Sequence, residues 1–243
     1  MAARELCERH AVVMALQGLE LPHADSERRV LWVQAGSTWG TLLPLGDSGL
    51  WRVDAGCPLS VMRAAKLADD TTTDDMQTLA QWFAQRDRFV PLHRSNLTAR
   101  LVSVDWLFAD GTIEVFGAFG AADDQPLNSL KAQQVVPRLF ELAADKQVQG
   151  ARDACVWPMR FHLDALLDQQ AVNLAHFFVG HGGSLGWLVA ATFRQAPDTA
   201  TTADPDAGVL DHVWGTDLED FAALDLLVKQ SIDPTGVFLS LPD

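Results

Sequence analysis

The densest concentration of residues able to do chemistry lies between His176 and Arg194, HFFVGHGGSLGWLVAATFR, where Gly180, Gly182, Gly183 and Gly186 fall within seven positions. A loop of this kind brings backbone N–H groups close to a ligand because no Cβ blocks the approach. The same composition also serves a plain tight turn between two strands. Gly182-Gly183-Ser184-Leu185-Gly186 matches the G-x-S-x-G pattern, in which a strained strand-to-helix turn exposes a nucleophilic hydroxyl. That chemistry would need an acid and a histidine downstream, and His212 with Asp204, Asp206 or Asp211 supplies them nominally. Only 57 residues follow Gly186 (243 minus 186), which is short for the βα units that follow such an elbow. His181 could touch a ligand or hydrogen-bond the loop backbone. Cys57 and Cys155 have no cationic neighbour in sequence to lower their pKa.

The elements that must position these residues are short and mixed. Residues 3–9 are rich in helix formers, and Val12 to Leu16 reads as a buried strand stopped at Gly18. Val30 to Gln34 is a second strand, the turn residues Gly36 to Gly40 lead into a capped helix over Thr41 to Leu45, and Trp51 to Ala55 is a third strand. The segment Asp69 to Asp75 has four carboxylates and nothing to bury, so it reads as a solvated loop and not a metal site. Leu97 to Phe108, Asp110-Gly111 and Thr112 to Phe116 form a hairpin signature. Leu127 to Ala144 has helical spacing, with Pro137 positioned to split it. An apolar strand precedes the glycines, Ala196 to Leu210 is a Pro/Asp/Thr/Gly-rich loop, and Leu218 to Gln230 is a closing helix. The fold class is α+β.

Composition narrows the partners. The 243 residues carry 18 Lys+Arg against 32 Asp+Glu, a formal charge of −14, and 48% hydrophobic side chains. Such a chain buries a full core and repels phosphate backbones and anionic lipid, so nucleic acid is not expected as a partner. No stretch approaches the roughly 20 apolar residues of a membrane span, and the N-terminal apolar run Ala11 to Leu16 is too short for a secretory signal. Cys7, Cys57 and Cys155 form no metal or disulfide pattern, which fits a reducing compartment and a cytoplasmic address. The eight Trp and twelve Phe read as core and interface.

Phe178 to Arg194 resembles the segment G-S-E-G-T-L-G-I-I-T-E-A-T-L-R of FAD-linked oxidases of the vanillyl-alcohol oxidase type, with Gly180, Gly183, Leu185, Gly186, Ala191, Thr192 and Arg194 in register. His181, Gly182 and Val189 replace the family's Ser, Glu and Thr, and Trp187 replaces a smaller aliphatic residue. The opening strands, GLWRVDAGC, VSVDWLFADGTIEVFG and the tail Ser231-Ile232-Asp233-Pro234-Thr235-Gly236-Val237-Phe238 are similar to that family in the same order, the tail to its glycolate oxidase-like branch. The resemblance covers about half the chain, in patches.

The resemblance implies a PCMH-type FAD-binding fold of two small α/β subdomains, residues 1–66 and 90–197. An acidic linker and helix (67–89) would join them, and a residual loop, helix and D-P-x-G tail (198–243) would follow. It implies FAD as cofactor, held by Gln17, Gly18, Leu19, Gly56, Gly180, His181, Gly183, Ser184, Leu185, Gly186 and Trp187. With no arginine cluster, the diphosphate would rest on backbone N–H groups. The first loop departs from the family, because Glu20 would repel a diphosphate and Leu19 restricts backbone approach. The second departs too, with Cys57-Pro58-Leu59-Ser60-Val61-Met62 where relatives have a glycine-rich run. Only Ala196 to Ser231 stands in place of the substrate-covering domain. Arg160 and His162 could anchor a carboxylate and take a proton if the substrate were a 2-hydroxy acid. The readings are an FAD-binding module of a glycolate-like 2-hydroxy-acid oxidase or dehydrogenase working with a partner subunit, a non-catalytic degenerate relative serving as an interaction or assembly protein, and a serine hydrolase with Ser184 as nucleophile.

Overall fold

The computed structural model describes residues 12–17, 25, 28–33, 40–68, 77–85, 96–120, 126–151, 157–167, 172–195 and 219–241. In chain order these form β1 (Val12–Leu16), β2 (Arg29–Val33), β3 (Leu42–Pro44), β4 (Leu50–Asp54), α1 (Leu59–Ala64), α2 (Leu79–Gln85) and α3 (Asn96–Ala99). There follow β5 (Leu101–Leu107), β6 (Ile113–Phe116), β7 (Ala118–Phe119), α4 (Leu130–Ala143), α5 (Lys146–Ala151) and a 3-10 turn (Leu163–Leu166). The chain continues through β8 (Val172–Asn173), α6 (Leu174–Phe177), β9 (Trp187–Arg194) and α7 (Glu219–Ile232). The expected helix at residues 3–9, the acidic loop Asp69 to Asp75 and the loop Ala196 to Leu210 lie outside the described residues.

The fold is α+β. Its central sheet has the order β3-β4-β9-β5-β6, with every adjacent pair antiparallel. It therefore takes β3 and β4 from the stretch expected to form the first subdomain and β5, β6 and β9 from the second. One hydrophobic core runs through both stretches, from Val13 to Leu239. The inner face of the sheet carries Val53, Val104, Phe116, Ala191 and Phe193, all buried, with α2 against β9 and α6 against β5. A smaller parallel pair, β1 with β2, is extended by a parallel bridge from Met14 to Phe238 in the tail.

Local chemistry explains each element. The D-G hairpin forms as expected: Gly111 takes φ +84°, Thr112 N–H donates to the Asp110 carboxylate (2.8 Å) and Phe108 N–H to the Thr112 carbonyl (2.9 Å). Helix α4 begins where the Ser129 hydroxyl accepts from Ala132 N–H (3.1 Å), while the Glu114 carboxylate accepts from Asn128 N–H (3.2 Å) and Ser129 N–H (2.6 Å). Pro137 does not split it. The proline lies on the exposed face, where water can satisfy the carbonyl its missing N–H leaves open.

Two expectations are corrected. Thr41 to Leu45 is not a helix: Leu42–Pro44 is an edge strand, because the Thr41 hydroxyl and amide bond the Asp54 carboxylate across the pair and Gly46 and Gly49 (φ +62° and +68°) close a hairpin onto β4. The stretch before the glycines is not a strand either. Asn173 accepts from Ala175 N–H (3.0 Å) and starts the single-turn helix α6.

Candidate functional site

The glycine segment is a turn from α6 into β9, with Gly180, Gly182 and Gly183 at φ +74°, +61° and +78°. Its polar groups are turned inward. Gly180 N–H donates to the Phe83 carbonyl (2.8 Å) and Gly182 N–H to the Ala84 carbonyl (2.9 Å). Gly183 N–H donates to His181 Nδ1 (3.0 Å), and Ser184 N–H to the His181 carbonyl (3.1 Å). The Ser184 hydroxyl is fully buried and donates to that same carbonyl (2.6 Å). Ser184 is not a nucleophile on an elbow: helix precedes it, strand follows it, and its hydroxyl faces the interior. His212, Asp204, Asp206 and Asp211 lie outside the described residues.

The acceptors of Gly180 and Gly182 belong to α2, a helix to which sequence reasoning gave no site role. Its N-terminal amides donate to the turn after β4, Leu79 N–H to the Cys57 carbonyl and Ala80 N–H to the Ala55 carbonyl, both 2.8 Å. Its exposed face reaches β1, where Gln81 Nε2 donates to the Gln17 carbonyl (2.8 Å). Helix α2 thus touches all three stretches proposed to hold a cofactor: Gln17, the turn at buried Gly56, and the glycine segment. Gly18 and Leu19 lie outside the described residues. The spacing Leu79, Ala80, Phe83, Ala84 is the signal that could have revealed this helix as a filler, since it lays one continuous apolar face inward.

Below α2 the space is aromatic. Phe83 lies 6.3 Å from Trp106 and 6.1 Å from His181, and Trp106 packs against Phe178 (4.4 Å) and, edge to face, against His181 (4.8 Å, 85°). Burial, reinforced by Arg160 and Lys229, pushes the His181 pKa from the ordinary 6.5 down to about 3, so the imidazole is neutral and serves as an acceptor. Gly182 faces the Arg160 guanidinium, and Gly186, at φ +155°, faces Trp106 and the Leu107 carbonyl so closely that a Cβ would sit 2.5 Å from the indole nitrogen and 2.6 Å from the oxygen. Leu185 is fully buried, and Trp187 packs against Phe238 (5.8 Å). Met62 belongs to the core.

A buried ion pair fastens the segment from the other side. Lys229 Nζ on α7 donates to the Ser184 carbonyl (2.5 Å) and the Asp233 carboxylate (2.6 Å). Burial pushes the Lys229 pKa down, with Asp233 acting against that shift. Asp233 in turn accepts from Val237 N–H (3.1 Å) and Phe238 N–H (3.0 Å), so the D-P-T-G turn is shaped by its own aspartate. The tail then reaches β1 through Met14 N–H to the Val237 carbonyl (2.8 Å), and the fully buried Asp25 accepts from Ser240 N–H (2.6 Å) and its hydroxyl (2.9 Å).

The remaining candidates are structural in the same way. His162 is fully buried, with Nδ1 3.1 Å from the Asp164 carboxylate, and the amides of Arg160 and Phe161 donate to Asp225. The Cys57 thiol is buried and its pKa is raised to about 11, by burial first and Asp54 second. No group of His, Cys, Asp and Glu that could hold a metal occurs among the described residues, and no helix among them is long and apolar enough to cross a membrane.

A dinucleotide diphosphate held without cations needs several unpaired N–H groups converging on one point. The four amides of residues 180, 182, 183 and 184 bond within the protein, those of Gly180 and Gly182 to α2 and those of Gly183 and Ser184 to His181. These residues do not fit the diphosphate of FAD.

No protein-family model matches the chain, and no curated protein matches it. Two solved structures of alkyldihydroxyacetonephosphate synthase, in different crystal forms, align over 79% of this chain with TM-scores of 0.45 and 0.44 and 12% and 13% identity. This chain spans less than a third of their length, 28% and 29%.

Proposed function

We propose that this protein is a catalytically silent scaffold, an interaction or assembly protein whose glycine-rich segment is a packing device and not a cofactor cradle. The observation that carries this reading is α2. It joins Gln17, the Gly56 turn and the glycine segment by hydrogen bonds, and takes up amides that a diphosphate would need. The buried Ser184 and the neutral, enclosed His181 leave neither a reachable nucleophile nor a reachable base at the segment. The FAD-binding module of a 2-hydroxy-acid oxidase remains the competing expectation from sequence, and the two differ in one cheap measurement. The purified protein should show no absorbance near about 450 nm, either as isolated or after incubation with FAD and removal of the excess. A flavin retained at one per chain would overturn the scaffold reading.

A further inference from the structure

A scaffold needs a surface that takes a partner, and the inference below rests on that reading. Among the described residues the central sheet ends in two edge strands of opposite character. At one end, β3 is only three residues long and finishes in Pro44, which has no N–H to offer an incoming strand. At the other end, β6 (Ile113-Glu114-Val115-Phe116) contains no proline, no lysine and no break in register with β5. Glu114 and Phe116 point inward and are buried, while Ile113 and Val115 are 56% and 41% exposed on the outer face. Ile113 lies directly opposite Leu107, which lies opposite Trp187 on β9, so it continues an apolar row across three strands, while Val115 lies opposite Asp105, whose carboxylate pairs with Arg52 (2.6 Å). Soluble proteins ordinarily blunt such an edge with charge, proline or a bulge. Here there is neither proline nor bulge, and the one charge, Glu114, points inward, where its carboxylate is held by the Asn128 and Ser129 amides.

We propose that β6 is the docking edge for a strand of a different, basic protein, which adds to the sheet by main-chain hydrogen bonds and alternates apolar residues over Ile113 and Val115 with Lys or Arg. The mode is strand addition, because the last strand of a sheet offers unpaired backbone groups on its open side. The sign of the partner follows from charge. This chain carries a net charge of −14, so a second copy of the same sign is repelled as a whole, whereas a basic strand is attracted.

The test uses the full chain and a capped peptide of about eight residues alternating Val and Lys, with a Val/Glu peptide of equal length as the comparison. Binding of the labelled peptides is read by fluorescence anisotropy, and exchange of the Ile113 to Phe116 amides by NMR. The Val/Lys peptide should bind, slow exchange within β6, and weaken as salt is raised. The Ile113→Lys/Val115→Lys variant should bind it at least about tenfold more weakly. Leu43→Lys, on the opposite edge strand, should leave binding unchanged. Thermal unfolding confirms that each variant is folded. No binding, equal binding of the Val/Glu peptide, or binding indifferent to the double substitution would overturn the proposal. So would a concentration-dependent dimer that Ile113→Lys abolishes, which would assign the edge to a second copy. The visible spectrum of the same sample separates the two readings: a bound flavin defeats the scaffold reading, while peptide failure without flavin defeats the docking edge alone.

Discussion

Replacing His181 by Asn isolates one titration and tests the enclosure of the glycine segment. The Asn side chain can keep an acceptor near the position of Nδ1, where Gly183 N–H now donates, but it does not ionise. In the folded protein, burial, Arg160 and Lys229 hold the His181 pKa near 3, against 6.5 for the free side chain. Between those values the unfolded chain binds a proton that the folded chain refuses, so wild-type stability falls as pH falls through that window. From about pH 8 to about pH 5 this group alone removes roughly 1.5 × 1.4, or about 2 kcal/mol. Carboxylates titrate in both proteins and cancel in the difference. Urea unfolding at a series of pH values should therefore show the wild-type stability advantage over His181→Asn shrinking by about 2 kcal/mol across that range. Parallel curves would mean that His181 titrates freely, that solvent reaches the segment, and that the enclosure described here is wrong.

Four other substitutions probe the same packing. Gly186→Ala should destabilise more than Gly182→Ala in thermal unfolding: the first drives a Cβ into an indole and a backbone carbonyl, whereas the second meets the movable end of Arg160 and costs about 1–2 kcal/mol of left-handed backbone. Lys229→Ala leaves the Asp233 carboxylate buried without its partner and should cost about 3–5 kcal/mol in urea, with faster exchange at Met14 N–H as the tail loosens. Ser184 should not react with a fluorophosphonate probe in the folded protein, and Ser184→Ala should cost only about 1 kcal/mol, the net worth of one buried hydrogen bond.

Local signals carried most of the fold. The D-G pair at Asp110-Gly111, the alternation in β5 and β6 and the apolar spacing of α4 are short-range patterns that the backbone obeys without tertiary help. The failures are equally physical. Thr41 to Leu45 looked like a helix because turn and cap residues precede it, and only the distant Asp54 decides that Thr41 bonds a carboxylate across a hairpin. Pro137 looked like a break because sequence does not show that it sits on the wet side of α4. The site was legible as a cluster of glycines but not as to purpose. Gly182 and Gly186 exist for Arg160 and Trp106, residues 22 and 80 positions earlier (182 − 160 and 186 − 106), and no local pattern reports contacts of that separation. Helix α2 was equally hidden. Its apolar spacing announces an inward face, yet nothing in seven residues says that its two ends close onto the turn after β4 and the turn before β9.

Amide hydrogen exchange at Gly180, Gly182, Gly183 and Ser184, measured with and without FAD, tests the filled site most directly. These four N–H groups should be protected close to the level of global unfolding, with no change on adding FAD. Rapid exchange in the free protein that slows only when FAD is added would show that the amides await a ligand and that α2 does not occupy their place.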